Sequence, residues 1–335
     1  MKSKKQFILQ SKKIQYGVIG AGHIGNYHAQ QIKNIANVKL IGIYDVNFKQ
    51  AQKIADLYNV EAFNSLSSLL ETCDAVSVAT PAQTHFKIAI LALQNNCHVF
   101  IEKPITTNLQ EAEAIIQEAE TLNKLVQVGH IERFNPAFAY LLTHQNISSS
   151  RFIESERLAP FNQRGLDVNV LLDLMIHDID LILCIKNCGV KNIEAIGINV
   201  LSKNIDLANA RITFEDNSVA NLTASRISDT SVRKLRIFNK QQYFSLNLQN
   251  HSVDSYSVKT KNPNKQSQLI FSNQNKSIVH NKTSVPKQNA LYEELASFIS
   301  SIQTGKKIMV DASAGTEAIK LALLIQKKIH ESTQT

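Results

Sequence analysis

From Ile14 onward, short apolar runs alternate with longer amphipathic stretches: "IQYGVIG", "IGNYHAQQIKNIAN", "VKLIGIYD", "NFKQAQKIADLYN", "AVSVAT", "THFKIAILALQNN", "CHVFIEK", "LQEAEAIIQEAETLN" and "LVQVGH". The short runs are almost continuously apolar, as strands buried on both faces are. Helices of ten or more residues between them predict parallel βαβ units. Residues 14–131 are therefore expected to form an α/β domain, a doubly wound parallel sheet of the Rossmann kind. Further on, "NIEAIGINVLS", "LANARITFED", "SVANLTASRIS", "VRKLRIFNK" and "QYFSLNL" are β-rich runs separated by polar turns, and they predict an antiparallel meander. Two helical stretches, "NALYEELASFISSIQTG" and "ASAGTEAIKLALLIQKKIHE", close the chain. Residues 132–335 are thus expected to form a C-terminal α+β domain with an open, mainly antiparallel sheet. The Asn-, Ser- and Lys-rich stretch "KTKNPNKQSQLIFSNQNKSIVHNKTS" reads as irregular or weakly stranded, and residues 1–13 as a flexible basic tail.

The first strand runs straight into "GVIGAGHIGNYH". Gly20, Gly22 and Gly25 make G-x-G-x-x-G between a strand and a helix, and Asp45 ends the next strand 20 residues after Gly25. The glycines permit a tight turn and close approach of a pyrophosphate, and the helix N-terminus faces its charge. Asp45 is placed to accept from a ribose diol. His23 and Ile24 fall within the same turn. A carboxylate at the ribose repels a 2′-phosphate, and "DVNFK" has no arginine after the acid, which favours NAD over NADP; Lys49 is the one residue that speaks for the phosphate. Thr80 and Pro81 in "VATPAQTHF", with His85 behind them, fall at the carboxyl edge of the sheet, where open α/β sheets bind ligands. Thr84 reads as a helix cap.

The awkward stretch is "FIEKPITT", in which Glu102 and Lys103 interrupt the end of a buried strand and Pro104 follows. Both charges emerge on that same carboxyl edge, and Pro104 keeps Lys103 out of helical geometry. In the second half, "NVLLDLMIHDIDLILCI" is apolar except for Asn169, Asp173, His177, Asp178 and Asp180. Spacing of four puts Asp173 and His177 on one helix face, with Asp180 a further turn along. Such a stripe needs partners or a ligand cavity. It can hold the helix to its own domain by ion pairs. It can also supply an imidazole base, with a carboxylate to orient it, for work on a hydroxyl near neutral pH.

Composition narrows the class. The chain has 335 residues, 44% hydrophobic and 19% charged, enough for two cores. No apolar run approaches the roughly 18 residues of a membrane span, and the start lacks a signal-peptide core, so a cytoplasmic protein without membrane attachment is expected. The formal charge of +8 is scattered rather than clustered, and tryptophan is absent. The nucleic-acid footprint is therefore weak and no nucleic-acid partner is expected; a basic balance also suits an anionic small molecule, and charge alone does not choose. Cys73, Cys97, Cys184 and Cys188 suggest neither a disulfide framework nor zinc spacing, so buried thiols and no metal are expected.

"GVIGAGHIGNYHA", "VATPAQTH", "EKPITTN" and "LLDLMIHDIDLIL" together resemble the Gfo/Idh/MocA oxidoreductases. The resemblance implies an NAD-dependent dehydrogenase in which Lys103 sits at the reacting hydroxyl with Asp173 and His177, and an open C-terminal sheet whose free face makes homodimers or homotetramers. "GHIERFNP", "ERLAPF" and "TASRIS" are similar to the branch acting on nucleotide sugars, the UDP-N-acetylglucosamine 3-dehydrogenases, which supply 3-keto sugars for lipid A-type glycolipids. Arg133, Asn135, Arg157 and Arg164 are the residues expected to hold a sugar or its phosphates, because guanidinium binds phosphate bidentately. A free-polyol dehydrogenase such as one for inositol, and a non-catalytic NAD-binding sensor, remain the alternative readings.

Overall fold

The computed structural model describes residues 13–145, 147–162, 168–259, 268–273 and 276–333. The first sheet contains β1 (Ile14–Ile19), β2 (Val38–Tyr44), β3 (Glu61–Phe63), β4 (Ala75–Val78), β5 (His98–Glu102) and β6 (Val126–Gly129), all parallel, in the order β3-β2-β1-β4-β5-β6. Helices α1 (His23–Asn34), α2 (Phe48–Tyr58), α3 (Leu66–Leu70), α4 (Ala82–Gln94) and α5 (Leu109–Thr121) make the crossovers. Every residue of β4 and β6 is buried, the burial that their unbroken apolar runs require. Strand order reverses between β1 and β4, so a crevice opens there at the carboxyl edge. Strand β3, of three residues, and helix α3, of five, are too short to register as periodic runs.

The second sheet is larger and less regular. It comprises β7 (Phe152–Leu158), β8 (Val190–Ile198), β9 (Leu207–Phe214), β10 (Val219–Ser225), β11 (Val232–Phe238), β12 (Gln242–Asn247), β13 (Ser252–Lys259), β14 (Gln268–Ser272) and β15 (Ser277–Ser284). Their order is β14-β15-β13-β12-β11-β7-β10-β9-β8. The expected meander needs one correction. Strand β7, from the "ESERL" segment, inserts between β11 and β10 and runs parallel to β10. The stretch expected to be irregular or weakly stranded supplies β14 and β15, held by pairing of β15 with β13 and of β14 with β15 despite its polar composition. Alternate residues of β7 and β9 are buried, as in a sheet with one covered face. Helices α6 (Pro136–His144) and α7 (Ile176–Ile185), and α9 (Ala312–Thr333) further along, cover that face.

The expected boundary at residue 132 is also corrected. Helix α8 (Ala290–Thr304) packs on α1 and belongs to the first core, where Leu295, Phe298 and Ile299 join Tyr16, Ile32 and Phe100. The Phe100 and Phe298 ring centroids lie 5.9 Å apart, edge to face. Just beyond it, the Val128 amide donates to the Val310 carbonyl at 3.0 Å, so the chain returns along β6 before α9 crosses to β8. Cys73 and Cys97 are buried as expected, whereas Cys184 and Cys188 are half-exposed; all four are free thiols. Among the described residues no helix is long and apolar enough to cross a membrane.

Candidate active site

The glycine turn is shaped by what a Cβ would strike. Gly20 has φ +101°, and a Cβ there would lie 2.5 Å from the Ala79 carbonyl oxygen; one on Gly25 would lie 1.8 Å from that of Gly20. These two glycines let α1 close onto β1 and β4. Gly22 is different: a Cβ there meets no atom within 4 Å, so its backbone fronts open space at the start of α1. Asp45 stands across the turn, accepting from the Ala21 amide at 2.7 Å and the Asn47 amide at 2.8 Å. The residues after it, Val46 and Asn47, are exposed and carry no cation, and Lys49 points to solvent. His23 and Ile24 are exposed at the same mouth. This arrangement fits a dinucleotide with a free ribose diol.

At the neighbouring strand ends, Thr80 and Pro81 are accessible, and the Thr84 hydroxyl donates to Thr80 Oγ1 and the Pro81 carbonyl. His85 does not line the crevice as expected. It is buried, with Nδ1 2.8 Å from the Pro104 carbonyl and Nε2 2.8 Å from that of Thr80. It therefore braces the Lys103-Pro104 turn, whose peptide bond is cis, against the loop after β4. Burial pushes its pKa down, against the two carbonyls, which favour the protonated ring.

Glu102 is held from below. His28 Nε2 lies 2.9 Å from its carboxylate, His28 Nδ1 lies 2.9 Å from Ser77 Oγ, and that hydroxyl lies 2.8 Å from the Tyr16 hydroxyl. Burial alone would raise the Glu102 pKa, but the His28 hydrogen bond, with Lys103 nearby, outweighs it and holds the carboxyl below its ordinary range. Sequence reading passed over His28. Its signal was there, since Gly25, His28, Ala29, Gln31 and Ile32 are the buried residues of α1 and only His28 among them is ionisable.

Lys103 reaches the second domain. Its Nζ donates to the Asp173 backbone carbonyl at 2.6 Å and lies 3.4 Å from the Asp173 carboxylate. Asp173 sits in a π-helical turn, Leu171–Met175, that Asn169 starts by accepting from the amides of Leu171 and Leu172. Such turns interrupt helices most often at functional sites. His177 follows on α7 and borders a cavity of about 200 Å³. Among the described residues its Nδ1 is buried without a partner, and burial, reinforced by Lys103 and Arg157, drives its pKa well below the usual histidine range.

The polar stripe of this helix divides. Asp173 and His177 face Lys103 and the cavity, while Asp178 and Asp180 make buried ion pairs. The Arg157 guanidinium donates to Asp178 at 2.7 and 3.0 Å and to Glu132 at 2.8 Å, and Arg133 grips Asp180 at 2.6 and 2.8 Å. Asn135 is buried, capping α6 and donating to Glu132 and the Leu248 carbonyl. Three residues expected to hold substrate are thus corrected to internal supports, because facing carboxylates and carbonyls claim their donors. Arg164 lies outside the described residues. Among the described residues no three His, Cys, Asp or Glu side chains gather as a metal site requires.

Residues 14–130 match the GFO_IDH_MocA family, an oxidoreductase family with an NAD-binding Rossmann fold. A UDP-N-acetylglucosamine 3-dehydrogenase of Acidithiobacillus ferrooxidans is 34% identical over 322 residues, covering 95% of this chain and 98% of that protein. The chain belongs to the Gfo/Idh/MocA oxidoreductases. As a member of that family it is a dehydrogenase acting on hydroxyl groups, with NAD as its cofactor. A solved structure of the Acidithiobacillus ferrooxidans enzyme superimposes with a TM-score of 0.85, covering 94% of this chain and 97% of that one at 34% identity. The apo scyllo-inositol dehydrogenase of Lactobacillus casei shares the fold, with a TM-score of 0.77 at 23% identity over 96% of this chain and 97% of that one.

Proposed function

We propose that this Gfo/Idh/MocA dehydrogenase oxidises the 3-hydroxyl of a UDP-N-acetylhexosamine to the 3-keto sugar. The observation that carries the reading is similarity across both domains to a UDP-N-acetylglucosamine 3-dehydrogenase. The contact of Lys103 with Asp173 beside His177 supplies the chemistry. Lys103, placed at the carboxyl edge, donates to the substrate hydroxyl oxygen and stabilises the negative charge that grows there. His177, kept neutral by burial, takes the hydroxyl proton, and Asp173 holds Lys103 in place. When bound, NAD would supply the hydride acceptor, so that ketone, NADH and one proton balance the oxidation. Gly20, Gly22, Gly25 and Asp45 would hold the cofactor, with Thr80, Pro81, Glu102 and Lys103 at the adjoining strand ends.

We place the enzyme in the cytoplasm, making precursors of lipopolysaccharide or another surface glycan, and as a homo-oligomer joined through its open sheet. The uncovered face of that sheet supports the last point. Phe152, Phe238, Tyr243, Tyr256 and His280 stack across five strands at centroid separations of 4.4 to 5.3 Å and are only half-buried. Light scattering reporting a monomer sinks that assembly.

The decisive experiment follows NADH absorbance with NAD and UDP-N-acetylglucosamine, using an aminotransferase to draw off ketone. Wild type should reduce NAD, and Lys103→Ala and His177→Ala should each lose roughly 10²–10⁴-fold in kcat. Turnover of inositol but not of the UDP-sugar would transfer the mechanism to a free polyol. Tight NAD binding without turnover of any alcohol would leave a sensor.

A further inference from the structure

Arg157 and Arg233 stand directly opposite each other in the β7–β11 register, both on the covered face of the sheet. Like charges paired across strands repel unless something separates them. Here Glu132 does so unequally: its Oε1 lies 2.8 Å from Arg157 and 3.7 Å from Arg233. Arg157 is consumed by two carboxylates and buried. The Arg233 side chain is 54% exposed, and among the described residues its guanidinium donates no hydrogen bond. One arginine of the pair is structural, and the other is free to bind.

The free one stands at a junction. The cavity of about 200 Å³ beside His177 and a second of about 280 Å³ that runs to Gln249 and His251 share Ile131, Glu132, Ser231 and Arg233. Each is smaller than the roughly 300 Å³ at which ordinary ligand sites begin, but the four shared residues make them neighbours that one elongated ligand can span as a single groove. A ligand with its reacting hydroxyl at His177 extends through the shared lining toward Arg233.

We infer that Arg233, with the Ser231 hydroxyl, binds the anionic diphosphate of a nucleotide-linked sugar at the middle of this groove, leaving the polar groups of Gln249 and His251 to meet the nucleoside. A planar guanidinium with open donors matches phosphate oxygens bidentately. The inference rests on the UDP-sugar reading above and assigns the part of the groove that distinguishes a nucleotide sugar from a free polyol. Arg233 is a binding residue and not part of the proton chemistry.

The test titrates UDP, then uridine, into NAD-loaded wild type, Arg233→Ala and Arg233→Lys by calorimetry. Wild type should bind UDP, Arg233→Ala should weaken UDP about tenfold or more with uridine changed far less, and Arg233→Lys should fall between. In turnover, the KM for the UDP-sugar should rise by a similar factor while kcat moves less than about threefold. Arg233 is exposed, so the melting temperature should stay at the wild-type value. Unchanged UDP affinity in Arg233→Ala, equal losses for UDP and uridine, or no UDP binding by wild type would each overturn the inference. Arg233-dependent UDP binding without NADH from UDP-N-acetylglucosamine would keep the diphosphate site and refute the sugar-oxidation reading.

Discussion

The two walls of the candidate active site are built from different material. On the parallel sheet, the cofactor cradle is backbone: three glycines, the first turn of α1, and one carboxylate fixed by two amides. On the open sheet, the opposing wall is side chain: Arg157, Glu132, Asp178, Arg133 and Asp180 locked in buried pairs that set the helix bearing His177. A backbone cradle tolerates most substitutions and fails at glycines. A wall of paired charges tolerates changes of shape but not the loss of one member, because the partner is left buried and uncompensated.

The largest expected effect separates two glycines of the cradle. Gly25→Ala would drive a Cβ onto the Gly20 carbonyl, so the variant should lose NAD binding and a large part of its stability together. Gly22→Ala meets no protein atom and should melt like wild type yet lose NAD affinity, as read by fluorescence titration. If both variants melt alike, the cradle is not divided in this way.

Next in size is the charge wall. Arg157→Ala strands Asp178 and Glu132 and should cost about 3–5 kcal/mol in urea unfolding. A loss under about 1 kcal/mol would mean that water reaches the pair. Smaller is the pH effect. Burial lowers the His177 pKa, so its neutral form persists below about 6.5, the unperturbed value. The fall of kcat/KM on the acid side should therefore centre below that pH; a limb centred at or above it would mean another group is the base. Smallest is Asp45→Ala, which removes the ribose acceptor together with its hydrogen bonds from the Ala21 and Asn47 amides. It should raise the KM for NAD roughly tenfold and narrow the preference over NADP. An unchanged preference would take Asp45 out of the cofactor site.

Much of the cradle could be read from the chain, because strand, glycine spacing and acid are local features that occur in one order. The parallel domain followed from unbroken apolar runs such as "AVSVAT". The open sheet was legible strand by strand, but not in its order. Nothing local tells β7 to lie between β11 and β10, and the polar residues of β14 and β15 take strand form only through their neighbour. The arginines show the same limit. Arg157 and Arg233 look alike in sequence, and their different roles come from Glu132, which arrives from the far side of the domain junction and lies nearer one of them. His28 and Glu102, 74 residues apart, meet because β5 lies beside β4 over α1.

The return of α8 has a consequence for recombination. Cutting after residue 131 and joining the N-terminal segment to the second half of a relative would replace the helix that lies against Tyr16 and Phe100 with a foreign one. Phe298 and its neighbours bury a stripe worth several kcal/mol, roughly 1.5–3 for each large apolar side chain. The heritable unit of cofactor binding is therefore split in the gene, residues 14–129 with residues 290–304, and a viable chimera must carry both pieces from one parent.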